Sequence, residues 1–418
     1  MSTIDDPTME LNSIEGILDE IKEEQMTPNQ KMRILTNFIG GFENWSELNE
    51  DCRLHIVGFL ENKWRCNLER CSKQDQITVK NTPIHVDNMA IFDSDRLPDM
   101  YNVEPFDNVQ VEFEFGNSTR HYCLTFSQDG EDTKRQWLKY VPGKGLKVQT
   151  LIIKSTNYYE EAVKFAEGFM KKGSFELDRM RTNMSKYPIE TSKIRTMPFC
   201  TDARIGVNSL EQLGWWLSKL PENMKILKLY PTGEDSEDFL FTSESLDVPQ
   251  VRTAGSLAIL GRVNYTEEKV LAMRNRSIDL HDISISDEFI NQFIKRWING
   301  QCYKEFEQAH LGSMENRKID VILNDIDVVE WDADFRDEVQ VKTKFEVLEY
   351  RNFRGFFCSE FNRFCGSGDT YQISSLVNPF ESLTLNVFYD GLYIYHTGKT
   401  TTRNGETYTD YYVPRGYW

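Results

Sequence analysis

Apolar residues between positions 45 and 82 recur with the three- and four-residue spacing of helices. They are too numerous for one narrow stripe, and comprise Leu48, Ile56, Val57, Phe59, Leu60, Trp64 and Leu68. A short helical module of this kind buries one stripe internally and can offer the other to a partner helix. The pattern therefore predicts a compact helical module with a docking surface.

Two more helical stripes precede this module. The first runs from Leu11 to Ile21. Thr27 and Pro28 then have the pattern of an N-cap followed by proline at the first helical position, and the second stripe covers 34–39. The pair predicts a helical extension, which either packs on the module or acts as an added interaction arm.

Further along the chain, apolar and polar residues alternate strictly, most clearly at 109–115 and 122–126. A period of two is typical of half-buried strands. The pattern predicts strands over residues 84–127 with a hairpin at 109–126, and a loop at 128–132.

From residue 146 onward, strand-like runs alternate with helical stripes. The strands are expected at 146–153, 224–229 and 277–283, and the helices at 160–172, 210–220 and 287–298. Such alternation favours βαβ units and a largely parallel sheet. We interpret the region as a leucine-rich-repeat-like α/β open sheet with units of unequal length, whose concave face suits protein recognition.

The last stretch predicts a small antiparallel meander. Asp390-Gly391 and Asn404-Gly405 are hairpin turn signals, and alternating residues flank both. The predicted class is therefore a multi-part α+β chain. Its expected parts are a helical extension at 1–41, a helical module at 42–83, an α/β domain at 84–345 and a β-rich segment at 346–418.

Charge and terminal sequence limit the classes of partner. The 418 residues carry 66 acidic side chains against 48 Lys and Arg, a formal net charge of −18. Most of this surface would repel a nucleic acid, so no nucleic-acid partner is expected. The acidic N-terminus has no apolar signal segment, and no apolar run is long enough to span a bilayer. We therefore expect a cytoplasmic or nuclear protein without a membrane partner.

Two aromatic sets raise the question of a ligand site. Phe289, Phe293 and Trp297 are spaced four apart and therefore share one helix face. Such a face is typical of a core, with a ligand-facing aromatic patch as the alternative. Trp215 and Trp216 are adjacent, so we expect one to be buried and the other to lie at the surface.

Residues with catalytic or metal-binding potential are dispersed along the chain. The six histidines form no nucleophile–base or metal-ligand spacing, and no nucleophile elbow, zinc-protease or P-loop pattern is present. Cys358 and Cys365 have no second pair that would complete a zinc site. We therefore expect a non-catalytic protein with no metal and no cofactor.

The helical module carries a motif with defined spacing. Leu48-Asn49-Glu50 is followed by Ile56 and Leu60, and then by Arg65-x-x-Leu68-x-x-Cys71-Ser72-Lys73. This pattern resembles an F-box, and is most similar to that of the large nematode F-box family, in which a Trp precedes the first Leu. Trp45 matches that Trp, whereas the usual Leu-Pro opening is Leu48-Asn49 here.

A second motif lies downstream, in the helix predicted at 287–298. Asn291-x-Phe293-Ile294-Lys295-x-Trp297 is similar to the core motif of the F-box-associated domain that follows the nematode F-box. The two motifs occur in the family's order.

The resemblance implies a non-catalytic substrate-recognition subunit of a ubiquitin ligase. Residues 42–82 would dock a Skp-type adaptor and, through it, a cullin, while the chain from residue 84 onward would bind a protein substrate. The implied adaptor contacts are Leu48, Ile56, Leu60 and Leu68, supported by Trp45 and Glu50. The alternative is an adaptor-independent scaffold with a degenerate F-box, which Asn49 in place of the helix-starting proline keeps open.

Overall fold

A computed structural model describes residues 45–60, 62–93, 108–114, 121–141, 145–170, 175–194, 196–197, 199–233, 236–313, 316–330, 369–377, 381–388, 391–403 and 406–410. The helices predicted within residues 1–41 and the Cys358 and Cys365 pair lie outside these residues. The chain divides into two compact units, one covering residues up to 201 with 218–221, the other covering 202–217 with 222–418. Both combine helices and strands, which confirms the α+β class, while the boundaries between the four predicted parts stay predictions.

The first unit begins with the helical module. A 3₁₀ turn at Trp45–Glu47 leads into three helices: α1 Glu50–Phe59, α2 Asn62–Glu69 and α3 Lys73–Asn81. Helix α3 contacts both α1 and α2. Among the described apolar side chains of the module, those of Val57 and Leu68 are buried.

The sheet of the first unit is mostly antiparallel. Its strands are β2 Asn88–Asp93, β3 Asn108–Glu114, β4 His121–Asp129, β5 Asp132–Val141, β6 Gly145–Ile153 and β8 Arg179–Asn183, while β1 Ile84–Val86 and β7 Phe175–Leu177 form a separate two-stranded sheet. Strands β2 to β6 pair antiparallel in chain order, β8 pairs in parallel with β2, and β1 pairs in parallel with β7. Helix α4, Tyr158–Met170, packs against β2 to β5. The predicted hairpin at 109–126 is confirmed.

The loop predicted at 128–132 is wrong. Strand β4 continues to Asp129 and β5 begins at Asp132, so the connection is a tight turn at Gly130-Glu131. Gly130 has φ +63, in the left-handed region that such hairpin turns require. The strand predicted at 146–153 exists as β6, but it pairs antiparallel with β5 and does not open the parallel sheet.

Strand β5 escaped prediction because two of its inward positions carry polar side chains. Thr133 is buried, and its hydroxyl donates to the backbone carbonyl of Thr156 at 2.9 Å. The Arg135 guanidinium lies 5.8 Å from the centroid of the Phe165 ring on α4, in cation–π contact. Because these polar side chains occupy inward positions beside Trp137, the apolar residues of β5 do not show the period of two that predicts a strand.

The second unit contains the parallel sheet that the strand–helix alternation predicts. Its parallel strands are β9 Asp202–Val207, β10 Ile226–Pro231, β11 Leu240–Thr242, β12 Ser256–Asn264, β13 Ser277–Ile283 and β14 Gln308–Gly312. Strands β9, β10, β12, β13 and β14 pair in chain order, and β11 pairs with the end of β12. The intervening helices are α5 Leu210–Leu217, α6 Pro249–Thr253, α7 Glu267–Ala272 and α8 Asp287–Ile298. The likeness to leucine-rich repeats stays a prediction.

A short helix and an antiparallel set of strands complete the second unit. They are α9 Ile319–Ile322, β15 Val329–Glu330, β16 Asp369–Ser374, β17 Ser382–Phe388, β18 Gly391–Arg403 and β19 Glu406–Asp410. Strand β18 pairs antiparallel with β14, β17 and β19, and β16 pairs antiparallel with β15 and β17. Both predicted turn signals join paired antiparallel strands, which confirms the meander.

Strand register aligns the core of the second unit in two buried rows. One row is Ala203, Leu227, Leu257, Ile278, Ala309, Ile394 and Leu385, and the next is Ile205, Leu229, Ile259, Leu280, Leu311, Leu392 and Val387. Successive strand residues point to opposite faces, so the alternate positions form a second face. That face carries polar and aromatic side chains.

Helix α8 matches the prediction for residues 287–298. The Ser286 hydroxyl accepts the backbone N–H of Phe289, and Gly300, with φ +67, follows the last turn. Phe289, Phe293 and Trp297 are buried, which confirms the core interpretation of this aromatic face. Within the described part of the chain, no helix combines the length and the apolar character needed to cross a membrane.

The tryptophan pair on α5 divides between core and periphery. Trp216 is fully buried, whereas Trp215 is half-buried, and the two rings meet edge to face with centroids 4.7 Å apart. The expectation of one buried Trp is confirmed, and its neighbour is only partly exposed.

Candidate functional site

Arg65 connects the three helices of the module. Its buried guanidinium donates to the carbonyls of Gly58 and Leu60 at the end of α1, and to those of Thr82 and Pro83 after α3, at 2.8–3.1 Å. Helix ends leave such carbonyls without intrahelical partners. One side chain of α2 therefore satisfies the carboxyl ends of both neighbouring helices.

The start of α3 is fixed by a small polar network. The Ser72 hydroxyl accepts the backbone N–H of Asp75 and donates to Asp75 Oδ2 at 2.7 Å. Trp45 Nε1 donates to Asp75 Oδ1, also at 2.7 Å. This reciprocal cap gives Trp45 and Ser72 of the F-box-like motif a structural role, because through Asp75 they anchor the chain before α1 to the start of α3.

Asn49 is the N-cap of α1. Its side chain accepts the backbone N–H of Cys52 at 2.8 Å, and its φ of −64° is one that proline also adopts. Such a cap contributes about 1 kcal/mol to helix stability. The residue that replaces the usual proline therefore starts the same helix by a different interaction, and its presence is not a structural defect.

The structure places the predicted adaptor residues at different depths. Trp45, Leu48, Ile56 and Leu60 are half-buried, Glu50 is exposed and Leu68 is 5% exposed. Burial of Leu68 favours packing within the module over contact with a partner.

Ile77 is a candidate contact that the hydrophobic pattern does not predict. It lies on α3 and is 48% exposed, more than any other large apolar side chain described in the module. Its neighbours in α3 are mostly polar, so it forms no stripe. The sequence feature that could indicate this contact is a single isoleucine on an otherwise hydrophilic helix face.

The polar face of the parallel sheet is the second candidate surface. Strand register aligns Arg204, Lys228, Asp279, His310 and Tyr393 in one row, and all five side chains are half-buried. His310 Nδ1 lies 2.7 Å from Asp279 Oδ1, and the His310 ring stacks on Tyr393 with centroids 4.0 Å apart. The row therefore has cationic groups at one end and an acidic, aromatic cluster at the other.

Two thiols with shifted acidity are unsuited to nucleophilic catalysis. Burial, with a smaller contribution from Glu112, raises the pKa of Cys123 to about 12. Burial likewise raises the pKa of Cys302 to about 11. The thiolate is the nucleophilic form, so both groups are unreactive near neutral pH.

The residues of the downstream motif, on α8, have structural roles. The Asn291 side-chain amide donates to the carbonyls of Ile322 and Asn324 at 2.8 Å each, at the end of α9. Phe293 and Trp297 are buried on the core side of α8. The asparagine therefore holds α9 onto α8, while the aromatic residues fill the core.

Comparison with known proteins agrees with both motifs. A family model described as F-box associated matches residues 252–310, which include the Asn291 motif. An uncharacterized F-box protein of Caenorhabditis elegans is 32% identical over 401 residues, covering 95% of this chain and all of the relative. No solved structure matches the chain. The chain therefore belongs to the family of nematode F-box proteins with a C-terminal F-box-associated domain.

Proposed function

We propose that the chain is the substrate-recognition subunit of a Skp–cullin–F-box ubiquitin ligase. The helical module docks a Skp-type adaptor, which joins the chain to a cullin, and the second unit binds a protein substrate. The observation that carries the proposal is the capped three-helix module at 50–81 in one chain with an F-box-associated domain at 252–310. This arrangement suits a cytoplasmic or nuclear connector between two proteins.

The mechanism of such a subunit is proximity. Holding a substrate on the complex raises the effective concentration of its lysines at the ubiquitin-loaded conjugating enzyme. The chain itself then contributes no reacting group. We place substrate binding on the polar face of the parallel sheet, where the row from Arg204 to Tyr393 offers charged and aromatic groups to an extended segment.

Replacing Leu48 and Ile56 together by alanine is expected to abolish capture of a Skp-type adaptor. Both residues are half-buried on the module, so truncation removes apolar contact area while leaving Val57 and Leu68 in place. The full chain is co-purified with the adaptor and the complex is scored by size-exclusion chromatography. Amide exchange over residues 84–418 checks that the rest of the chain stays folded.

The same experiment separates the proposal from the scaffold alternative. A one-to-one complex with the wild-type chain, lost in the double variant, supports the ligase subunit. Undiminished capture by the double variant means that the adaptor contacts are misassigned. No complex with a wild-type chain whose module is folded favours the adaptor-independent scaffold.

Ile77→Asp is expected to weaken adaptor affinity at least about tenfold, because it places a charge on an exposed apolar side chain of the docking surface. Leu376→Asp is the matched control, since Leu376 is 78% exposed and lies outside the module. Binding is measured by isothermal titration of the full chain with adaptor. Equal affinities for the two variants would exclude Ile77 from the interface.

A further inference from the structure

We propose that Asp279, His281 and His310 form a binding site for a divalent transition metal ion of the zinc class. Asp279 and His281 are two apart on β13 and therefore point to the same face of the sheet. His310 lies directly opposite Asp279 on the neighbouring strand β14. One potential ligand atom from each of the three side chains lies within 4.8 Å of the others.

The distances suit a metal that enters between the two histidines. His281 Nε2 lies 3.7 Å and His310 Nδ1 lies 2.7 Å from Asp279 Oδ1. Zinc bonds of about 2.0–2.2 Å place the ligand atoms of a tetrahedral site about 3.3 Å apart. Binding of an ion would therefore lengthen the shorter distance, which is that of a hydrogen bond, by about 0.6 Å and shorten the longer one by about 0.4 Å.

The chemistry of binding is an exchange of a proton for the metal. An ionised carboxylate only accepts hydrogen bonds, so the Nδ1 of His310 carries the proton that faces Asp279. On binding, this proton leaves to solvent, the Nδ1 lone pair ligates the metal, and the carboxylate ligates through an oxygen. His281 Nε2 supplies the third bond, and the fourth position is left for water.

The surroundings hold the least exposed ligand in place. Tyr393 stacks on the His310 ring with an interplanar angle of 7°. The His281 ring meets the His310 ring edge to face, with the two ring centroids 5.5 Å apart. Gly312 and Gly391 face each other on β14 and β18. A Cβ at 312 would overlap the carbonyl oxygen of His281, and one at 391 would lie 3.2 Å from His310 Nε2. Gly312 therefore allows the close approach of the His281 backbone, and Gly391 leaves room for the His310 ring.

The ligand types select the metal class. Two imidazole nitrogens and one carboxylate suit zinc and its neighbours, whereas calcium and magnesium prefer sites built from oxygens. A second group, His85, Asp87 and Asp178, offers one imidazole and two carboxylates. There His85 Nε2 already contacts both carboxylates, at 3.1 and 3.2 Å, in the manner of a surface ion pair. Only the first group has the two nitrogens that a zinc-class ion favours.

The test is Zn²⁺ binding by the full chain, prepared without a histidine tag and cleared of metal by a chelator. Isothermal titration with Zn²⁺ is expected to give one site per chain. His281→Ala and Asp279→Asn are each expected to weaken affinity at least about tenfold, since each removes a ligand. His55→Ala, which removes an exposed histidine outside the group, is the control and is expected to bind as the wild type does.

Two further readouts separate coordination from adventitious capture. Co²⁺ in place of Zn²⁺ is expected to give the visible absorption of a low-coordinate site in the wild type and to lose it in His281→Ala. Zn²⁺ is also expected to raise the melting temperature of the wild type but not of that variant, because the ion binds only the folded arrangement. No binding, equal affinities in all four proteins, or a loss in His55→Ala equal to that in His281→Ala would mean an adventitious ion only and would overturn the proposal. The proposal does not depend on the ligase role.

Discussion

Arg65→Ala is expected to lower the opening free energy of the helical module by about 3 kcal/mol. Arg65 makes four charge-assisted hydrogen bonds to carbonyls, and its removal leaves these acceptors at helix ends without donors. Burial lowers the pKa of Arg65, which the Glu176 carboxylate partly offsets, yet a guanidinium remains charged at neutral pH. Amide hydrogen exchange over residues 50–82 of the full chain measures the effect directly.

Arg65→Lys is the informative companion variant. Lysine keeps the charge but presents one ammonium group, which cannot reach carbonyls on both sides as the planar fork does. We expect it to recover less than half of the lost protection. Exchange rates of Arg65→Ala within a factor of two of wild type would show that water replaces the guanidinium without cost, and would contradict the role assigned to Arg65.

Elements with a clear apolar period were predictable. Helix α8 follows from aromatic residues spaced four apart and from Ser286 as a cap, and the structure has the helix at 287–298. The hairpin of β3 and β4 follows from strict alternation. These features are local, so the information for them lies within a short stretch of sequence.

Elements whose inward positions are polar were not predictable in this way. Strand β5 buries Thr133 and places Arg135 over an aromatic ring, so its period of two is absent from the apolar residues. The pattern therefore predicts β6 as part of the parallel sheet, whereas β6 pairs antiparallel with β5. Partners of this kind are distant in sequence and become apparent only when strand pairing is known.

The candidate sites likewise combine local features, which the sequence predicts, with contacts between distant residues, which it does not. The F-box-like motif was visible in the sequence, but the roles of its polar residues were not, because the acceptors of Arg65 lie on other segments. Dispersed histidines gave the expectation of no metal. Strand register brings His310 beside Asp279 and His281, and the one local signal was an Asp and a His two apart in a predicted strand.

The polar residues of both motifs act alike. The side chains of Arg65 and Asn291 each extend from one helix and donate hydrogen bonds to backbone carbonyls at the end of another helix. These hydrogen bonds explain why each residue occurs in its motif, without any contact between its side chain and a partner protein. A motif residue can thus be specified by the fold alone, and the contact that we propose with the adaptor involves a different kind of residue, an exposed apolar side chain such as that of Ile77.

Asn291→Asp is expected to destabilise the second unit by about 4 kcal/mol at pH 7, more than Asn291→Ala, for which about 2 kcal/mol is expected. Alanine leaves two carbonyls without donors. Aspartate has nearly the same shape but directs a carboxylate at two carbonyl oxygens, which adds the cost of a buried charge without a partner. Urea unfolding, followed by amide exchange in α8 and α9, measures both losses, with Gln292→Ala on the exposed side of α8 as the control.

The pH dependence distinguishes repulsion from a simple loss of packing. Burial beside carbonyl oxygens raises the folded-state pKa of the new carboxyl group above the value of about 3.9 in an unfolded chain. The folded variant therefore binds more protons than the unfolded chain, and its stability falls as pH rises through the folded-state pKa. When protonated, the group can donate to one carbonyl, so the Asp variant should become as stable as the Ala variant, or more stable, as pH is lowered from 7 toward 4. A difference between the two variants that stays constant over this range would mean that the carboxylate has turned to solvent and that Asn291 does not hold α9 in the way described.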